Sequence, residues 1–301
     1  MKHLLTVEQL NSGEIEEILV LTKQFKKGRG KPKPKQPLTG QSWALIFNKS
    51  STRTRVSFEV GIRELGGSSL YLSTNEIQMG RGETVADTAR TLSQYIHGVV
   101  IRTYAQRDLD QFAEAGTIPV VNALTDEEHP CQILADLFTI TEKLGTLKGK
   151  KIVFFGDGAC NVCNSWLFGA TKNGMEMWVA APKQFQPVPE FLRRAGGNIH
   201  VTEDIAAAAR NADAVYTDVW VSMGKEAEAT ERLKILAPYQ VNASVLKQAK
   251  PGALVMHCLP AYLGKEIAAD VFQANQKTIF DQAGNRLHAQ KAIMSLLARK
   301  L

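Results

Sequence analysis

The chain has 301 residues, of which 44% are hydrophobic and 22% charged, and a formal net charge of +6. That length suggests two domains at roughly 150 residues each, and no apolar run approaches the ~20 residues that would span a bilayer. The positive balance does not point to nucleic acid, because Lys26, Lys27, Arg29, Lys31, Lys33 and Lys35 account for all of it within residues 26–35, a Lys/Pro/Gly stretch with no acid and no interleaved aromatic residue.

That stretch reads as a solvated loop whose field could attract an anionic substrate, attached to a neutral body. The first residues, Met1-Lys2-His3-Leu4-Leu5, run into Glu8 and Asn11 without the apolar core of a secretion signal, so a cytoplasmic location is expected. Cys131, Cys160, Cys163 and Cys258 are too few and too scattered for a disulfide framework, and a single C-x-x-C with no second Cys or His pair is weak evidence for zinc.

The first strong element is the apolar run 43–47, followed by Ser51-Thr52-Arg53-Thr54-Arg55 and an amphipathic stretch over 56–65. This is a strand, a turn and a helix N-terminus carrying hydroxyls and guanidiniums. Free backbone N–H groups and the positive end of the helix dipole favour a phosphate there, and the side chains add charge-assisted donors. Further apolar runs at 98–101, 118–121, 152–155, 177–180, 199–201, 214–216, 253–256 and 278–280 alternate with helical patterns. Near-continuous apolar strands separated by helices predict an α/β fold with two doubly wound parallel-sheet domains and the active site in the cleft between them. After a helix over 130–144, Gly145 occupies a C-cap position and a new strand begins at Ile152. The expected domains are therefore 1–145 and 146–284, with 285–301 as a C-terminal helix packing back on the first.

The reactive residues fall at strand ends: Ser51 to Arg55 after the first strand, Arg102 after 98–101, His129, Pro130 and Gln132 after 118–121, Gly156 to Asn161 after 152–155, Asp218 after 214–216, and His257 and Cys258 after 253–256. In open parallel sheets ligand crevices form at that edge. Gly156-Asp157-Gly158 invites a dinucleotide reading, but the third glycine of the fingerprint is replaced by Asn161, and Ala181-Pro182 stands where a ribose-binding carboxylate belongs. Cys258 beside His257 invites a thiol nucleophile, yet neighbours on an extended strand point to opposite faces. Arg102, His129 and Thr54 instead read as donors aimed at a carbonyl oxygen that gains charge during acyl transfer.

Ser51-Thr52-Arg53-Thr54-Arg55, Met79-Gly80-Arg81-Gly82-Glu83-Thr84, His129-Pro130-Cys131-Gln132, Asp218-Val219-Trp220-Val221-Ser222-Met223-Gly224, His257-Cys258-Leu259-Pro260-Ala261 and Asn285-Arg286-Leu287-His288-Ala289-Gln290 resemble, in order and spacing, the motifs of ornithine carbamoyltransferases. The resemblance implies transfer of a carbamoyl group from carbamoyl phosphate to the δ-amine of L-ornithine, without metal or organic cofactor, in a homotrimer with no nucleic-acid or membrane partner. It implies that Ser51, Thr52, Arg53, Thr54 and Arg102 hold the phosphate, that Arg102, His129 and Thr54 polarise the carbonyl, and that Gln132 and the backbone at Cys258 and Leu259 accept from the carbamoyl amide. Arg286 also reaches carbamoyl phosphate. Asn161 and the Met223 backbone take the ornithine carboxylate, Asp218 and Ser222 its α-amine, and Asp218 with Cys258 orients the δ-amine. Acceptors such as putrescine or acetylornithine, and a non-catalytic sensor of these ligands, are the alternatives.

Overall fold

Strand β1 (Ser42–Phe47) is buried from its second residue onward and pairs in parallel with β2 (Ser68–Ser73) on one side and β3 (Gly98–Arg102) on the other. Trp43 lies fully buried opposite Gly98, where a Cβ would fall 2.7 Å from the indole, so only glycine admits the ring at that register. Strand β4 (Val120–Leu124) completes a four-stranded sheet in the order β2-β1-β3-β4. The computed structural model describes residues 1–32, 35–73, 82–221 and 228–299, and the chain divides into two units, Met1–Phe138 with Asn285–Leu301, and Thr139–Gly284.

In the first unit, α1 (Ser12–Gly28) starts at a capping box between Asn11 and Glu14 and buries Ile15, Ile18, Leu21 and Phe25 at helical spacing. Helix α2 (Thr52–Glu64) follows β1 directly, with Phe58 and Ile62 on its buried face. Gly61 on α2 allows close approach of the C-terminal segment, since a Cβ there would lie 3.3 Å from Met294 Cε. Helices α3 (Val85–Leu92) and α4 (Gln106–Ala115) flank the sheet, where Ala89, Leu109 and Phe112 pack with Ala44, Ile46, Val99 and Ile101. Helix α5 (Pro130–Leu144) begins at a proline whose fixed φ suits a first helical position.

The second unit holds a five-stranded parallel sheet in the order β7-β6-β5-β8-β9, formed by β5 (Lys151–Phe155), β6 (Glu176–Ala180), β7 (Ile199–Thr202), β8 (Ala214–Thr217) and β9 (Leu254–His257). Helix α6 (Asn161–Lys172) follows β5, α7 (Pro189–Ala195) follows β6, α8 (Ile205–Ala209) follows β7, and α9 (Ala229–Leu236) and α10 (Ala243–Leu246) lie between β8 and β9. Val153, Phe155, Val215, Val255 and Ile279 share one core.

Each sheet has one point where the strand order reverses. The chain leaves β1 for β2 on one side and returns to β3 on the other; it leaves β5 for β6 and β7, then returns to β8. Carboxyl ends at such reversals form crevices; Arg102 ends β3, while Ser51, Asn161 and Asp218 lie in the segments that follow β1, β5 and β8.

Three expectations are corrected. The run 278–280 is not a strand but lies within α11 (Ala269–Ala298), where Val271, Ile279 and Gln282 are buried at helical spacing and Phe280 is exposed. Consequently, residues from 285 onward are the second half of that 30-residue helix rather than a separate one. The units divide inside α5 (Pro130–Leu144), not after it. Strand β2, an edge strand of Ser68-Ser69-Leu70-Tyr71-Leu72-Ser73, is an addition.

Candidate active site

In the first unit the phosphate-type motif has a defined cap. Ser51 is the N-cap of α2, its Oγ accepting from the Thr54 N–H at 3.3 Å while its own hydroxyl donates to Thr54 Oγ1 at 2.9 Å. Thr52 and Arg53 are exposed on the first turn, and Thr54 is fully buried. Arg286 Nη2 donates to the same Thr54 Oγ1 at 3.1 Å. Both acceptor positions of that oxygen are thereby used, so the Thr54 hydroxyl is left to act as a donor. Arg55 has another role: it pairs with Glu59 at 2.8 Å and stacks over Tyr71 at 3.6 Å, which removes it from the set of phosphate donors read from the motif.

Arg102 ends β3, and its carbonyl accepts from the Asn48 N–H at 2.8 Å, which ties the start of the phosphate turn to the next strand. His129 precedes α5 in a loop held by a chain of hydrogen bonds. Thr125 N–H donates to the Glu128 carbonyl at 2.9 Å, Glu128 N–H to Thr125 Oγ1 at 3.2 Å, and Val7 N–H to Glu128 Oε2 at 2.8 Å. Thr125 Oγ1 in turn donates to Gln106 Oε1 at 2.8 Å. Burial, reinforced by the charges of Arg286 and Arg102, holds the His129 imidazole well below its ordinary pKa. The ring is therefore neutral at pH 7 and offers one N–H donor within the field of the Arg102 and Arg286 charges. Gln132, on the first turn of α5, is buried; its Nε2 donates to Asp136 Oδ1 at 2.9 Å, while its buried Oε1 has no hydrogen-bond partner among the described residues.

The second unit brings Asp218 and Cys258 together. Cys258 Sγ–H donates to Asp218 Oδ1 at 2.8 Å, and Val219 N–H to the same oxygen at 2.7 Å. Loss of water around the Asp218 carboxyl raises its pKa, against the lowering effect of His257 and of these two donors. His257 is fully buried and, contrary to the expectation that the two neighbours point apart, brings a ring nitrogen within 4.8 Å of the Asp218 carboxylate and the Cys258 sulfur. Its Nδ1 accepts from the Leu259 N–H at 2.8 Å and its Nε2 lies 3.3 Å from Glu266 Oε1, so the ring proton is on Nε2. That bond holds Leu259 at φ 60°, a left-handed conformation uncommon for a leucine, followed by a cis Leu259-Pro260 bond. His257 N–H donates to Gln282 Oε1 at 2.9 Å.

Asp218, His257 and Cys258 bring potential ligand atoms within 4.8 Å of one another. Both imidazole nitrogens are engaged, however, so the trio is organised as a hydrogen-bonded array rather than an open metal site. Cys160 and Cys163 are buried thiols whose pKa values are raised well above normal by burial; Cys160 is the N-cap of α6, accepting from Cys163 N–H at 3.4 Å.

Asn161 opens α6 behind the turn Gly156-Asp157-Gly158. Gly156 has φ 111°, and a Cβ there would lie 2.7 Å from Trp220 Nε1. A buried ion pair joins this turn to the loop after β8: Arg232 of α9 donates through Nη2 to Asp157 Oδ2 and through Nε to the Trp220 carbonyl at 2.8 Å, with its guanidinium 4.5 Å from the Phe185 ring. Ser222 and Met223 lie outside the described residues, as do Met79, Gly80 and Arg81. Of the basic stretch, Lys26 and Lys27 fall in the last turn of α1, Arg29 pairs with Glu64 at 3.0 Å, and Lys33 lies outside the described residues.

The sequence reading missed Asp136, Arg232, Glu266 and Gln282, and it named Asp157 only as part of the turn after β5. Asp136 carries a local signal, since Gln and Asp four apart on a helix meet. The other partners are separated by many residues, and only the fold pairs them.

The description "Aspartate/ornithine carbamoyltransferase, carbamoyl-P binding domain" matches residues 2–142, and "Aspartate/ornithine carbamoyltransferase, Asp/Orn binding domain" matches 148–297. The chain is 50% identical over 301 residues to an ornithine carbamoyltransferase of Akkermansia muciniphila, covering 99% of this chain and 98% of that one. Among solved structures, an ornithine carbamoyltransferase from Pyrococcus furiosus superposes with a TM-score of 0.94 at 45% identity, covering 100% of this chain and 98% of its own. An anabolic ornithine carbamoyltransferase from Campylobacter jejuni gives 0.93 at 37% identity with 100% of both chains covered. With two half-sites at the reversals of two parallel sheets and these matches over the full length, the chain belongs to the aspartate/ornithine carbamoyltransferase family, among its ornithine carbamoyltransferases.

Proposed function

We propose that the protein transfers the carbamoyl group of carbamoyl phosphate to the δ-amine of L-ornithine, giving L-citrulline and phosphate. The observation that carries this reading is the neutral His129 held beside Arg102 and Arg286, with the Thr54 hydroxyl free to donate. Such a set supports a carbonyl oxygen as it becomes negative without giving it a proton. Ser51, Thr52, Arg53, Thr54 and Arg102 bind the phosphate. Gln132 and the carbonyls of Cys258 and Leu259 accept from the carbamoyl NH2.

Ornithine is held by Asn161 and the Met223 backbone at its carboxylate and by Asp218 and Ser222 at its α-amine. Cys258 and Asp218 orient the δ-amine, which, like a lysine, has a solution pKa near ~10.4 and must be neutral to attack. Desolvation and neighbouring cations favour that deprotonation. The amine nitrogen then bonds to the carbonyl carbon, the bond from that carbon to the phosphate oxygen breaks, and the nitrogen loses one proton. Orienting the reactants can supply on the order of 7–11 kcal/mol of the barrier reduction, and this chemistry needs no metal or organic cofactor.

A homotrimer in the cytoplasm is part of the same reading. Exposed Val56 on α2 and Leu70 on edge strand β2 offer apolar surface for a second copy, and light scattering of the purified protein tests the assembly. The function is tested by citrulline formation from carbamoyl phosphate with ornithine, putrescine and N-acetylornithine in parallel. Rapid product with ornithine alone is expected. No product from any acceptor, in folded protein, would favour a ligand sensor instead.

A further inference from the structure

We propose that Asp136 is a positioning residue that fixes the polarity of the Gln132 carboxamide, and so makes the site select the NH2 end of carbamoyl phosphate over an isosteric methyl. The inference rests on the reading above, in which Gln132 meets the carbamoyl group.

A glutamine side chain has one end that accepts and one that donates, nearly identical in shape, and its neighbours decide which end faces a ligand. Gln132 and Asp136 are four residues apart on α5, both buried, and joined by Nε2–H to Oδ1 at 2.9 Å. Asp136 Oδ1 is the acceptor in this bond, so Asp136 holds the donor end of the amide. The other end, Oε1, is then compelled to be the free one, and it is buried with no partner among the described residues. A buried carbonyl oxygen in that state is unsatisfied until a donor arrives. The carbamoyl NH2 is such a donor, whereas the methyl of acetyl phosphate, otherwise alike in shape and charge, leaves the oxygen unpaired. Without Asp136 the amide is free to turn its NH2 outward, toward a ligand NH2 that cannot accept.

The test uses Asp136→Asn, which keeps the shape but presents either a donor or an acceptor to Gln132. Dissociation constants for carbamoyl phosphate and acetyl phosphate are measured by equilibrium titration in the wild type, Asp136→Asn, Gln132→Ala and the double variant. The wild type is expected to prefer carbamoyl phosphate by roughly ten- to a hundredfold, the range that one unsatisfied buried acceptor produces. Asp136→Asn should lose most of that preference, while in the Gln132→Ala background the same substitution should leave the ratio unchanged. A merely structural role would weaken both ligands together in both backgrounds.

A preference that survives in folded Asp136→Asn overturns the inference alone. A wild type that shows no preference and makes no citrulline overturns the functional reading and the inference with it. Should Asp136→Asn fail to fold, the side-chain amide resonances of 15N-glutamine-labelled wild type, assigned by their loss in Gln132→Ala, decide the matter. The Gln132 Nε2 protons should exchange slowly and keep their shifts when carbamoyl phosphate binds, and a large shift on binding would overturn the assignment.

Discussion

Arg232→Met tests whether the second half-site is held by its buried ion pair. Arg232 and Asp157 are both about 5% exposed, and the guanidinium bonds both the Asp157 carboxylate and the Trp220 carbonyl. Removing it leaves a carboxylate buried without its counter-charge, which costs about 3–5 kcal/mol. Asp157 keeps the Ala159 N–H at 3.1 Å on Oδ1, so the lower half of that range is expected. Replacing both partners, Asp157→Asn with Arg232→Met, removes the stranded charge and retains that N–H contact, and should recover all but about 1–2 kcal/mol. Denaturant unfolding followed by tryptophan fluorescence suits the purpose because Trp166, Trp178 and Trp220 all lie in this unit. Kinetics supply the second arm. The ion pair links the turn before Asn161 to the loop carrying Asp218, so the single variant should raise KM for ornithine far more than KM for carbamoyl phosphate. A loss below 1 kcal/mol, no recovery in the double variant, or equal changes in the two constants would refute the reasoning.

Arg53→Ala removes a charge-assisted contact from an exposed first turn and should raise KM for carbamoyl phosphate roughly ten- to a hundredfold while lowering turnover; unchanged kinetics would sink the cradle assignment. Cys258→Ser keeps a hydroxyl that can donate to Asp218, so a slow enzyme with impaired ornithine use is expected, and complete inactivity with normal carbamoyl phosphate binding would point to a more direct role for the thiol. Burial, with Lys291, Arg29 and Lys26 nearby, lowers the pKa of His288 from 6.5 to about 4. Between those values the unfolded chain binds the proton and the native chain does not, so stability falls as pH drops through that window and is recovered above it. At pH 5 the contribution is about 2 kcal/mol, and equal acid sensitivity of wild type and His288→Gln in unfolding titrations would refute it.

The strands that were legible in the sequence are those buried on both faces. Residues 43–47 and 152–155 read as continuous apolar runs because every position, whichever face it points to, is covered. Strand β2 escaped because it is an edge strand: with one flank unpaired and its residues mostly half-buried or exposed, Ser68-Ser69-Leu70-Tyr71-Leu72-Ser73 never forms such a run. The run 278–280 misled for the converse reason, since Thr, Ile and Phe have strand propensity that the packing of Ile279 and Gln282 along one face of a long helix overrides.

The same asymmetry governs the site. Ser51, Arg102, His129, Asp218 and Cys258 could be singled out from sequence because each falls at or after the carboxyl end of an apolar run, and Ser51, Arg102 and Asp218 follow strands at the reversals of order. What holds these groups in place was not visible, because Glu266 is paired with His257, and Arg232 with Asp157, only once the chain has folded. Asp136 is the instructive exception. It sits one helical turn from Gln132, within reach of sequence reasoning, yet nothing in the residues alone says that this aspartate meets an amide rather than solvent. Burial of both side chains turns a common spacing into a constraint: a neighbour that accepts from the amide NH2 leaves the glutamine oxygen to face its ligand.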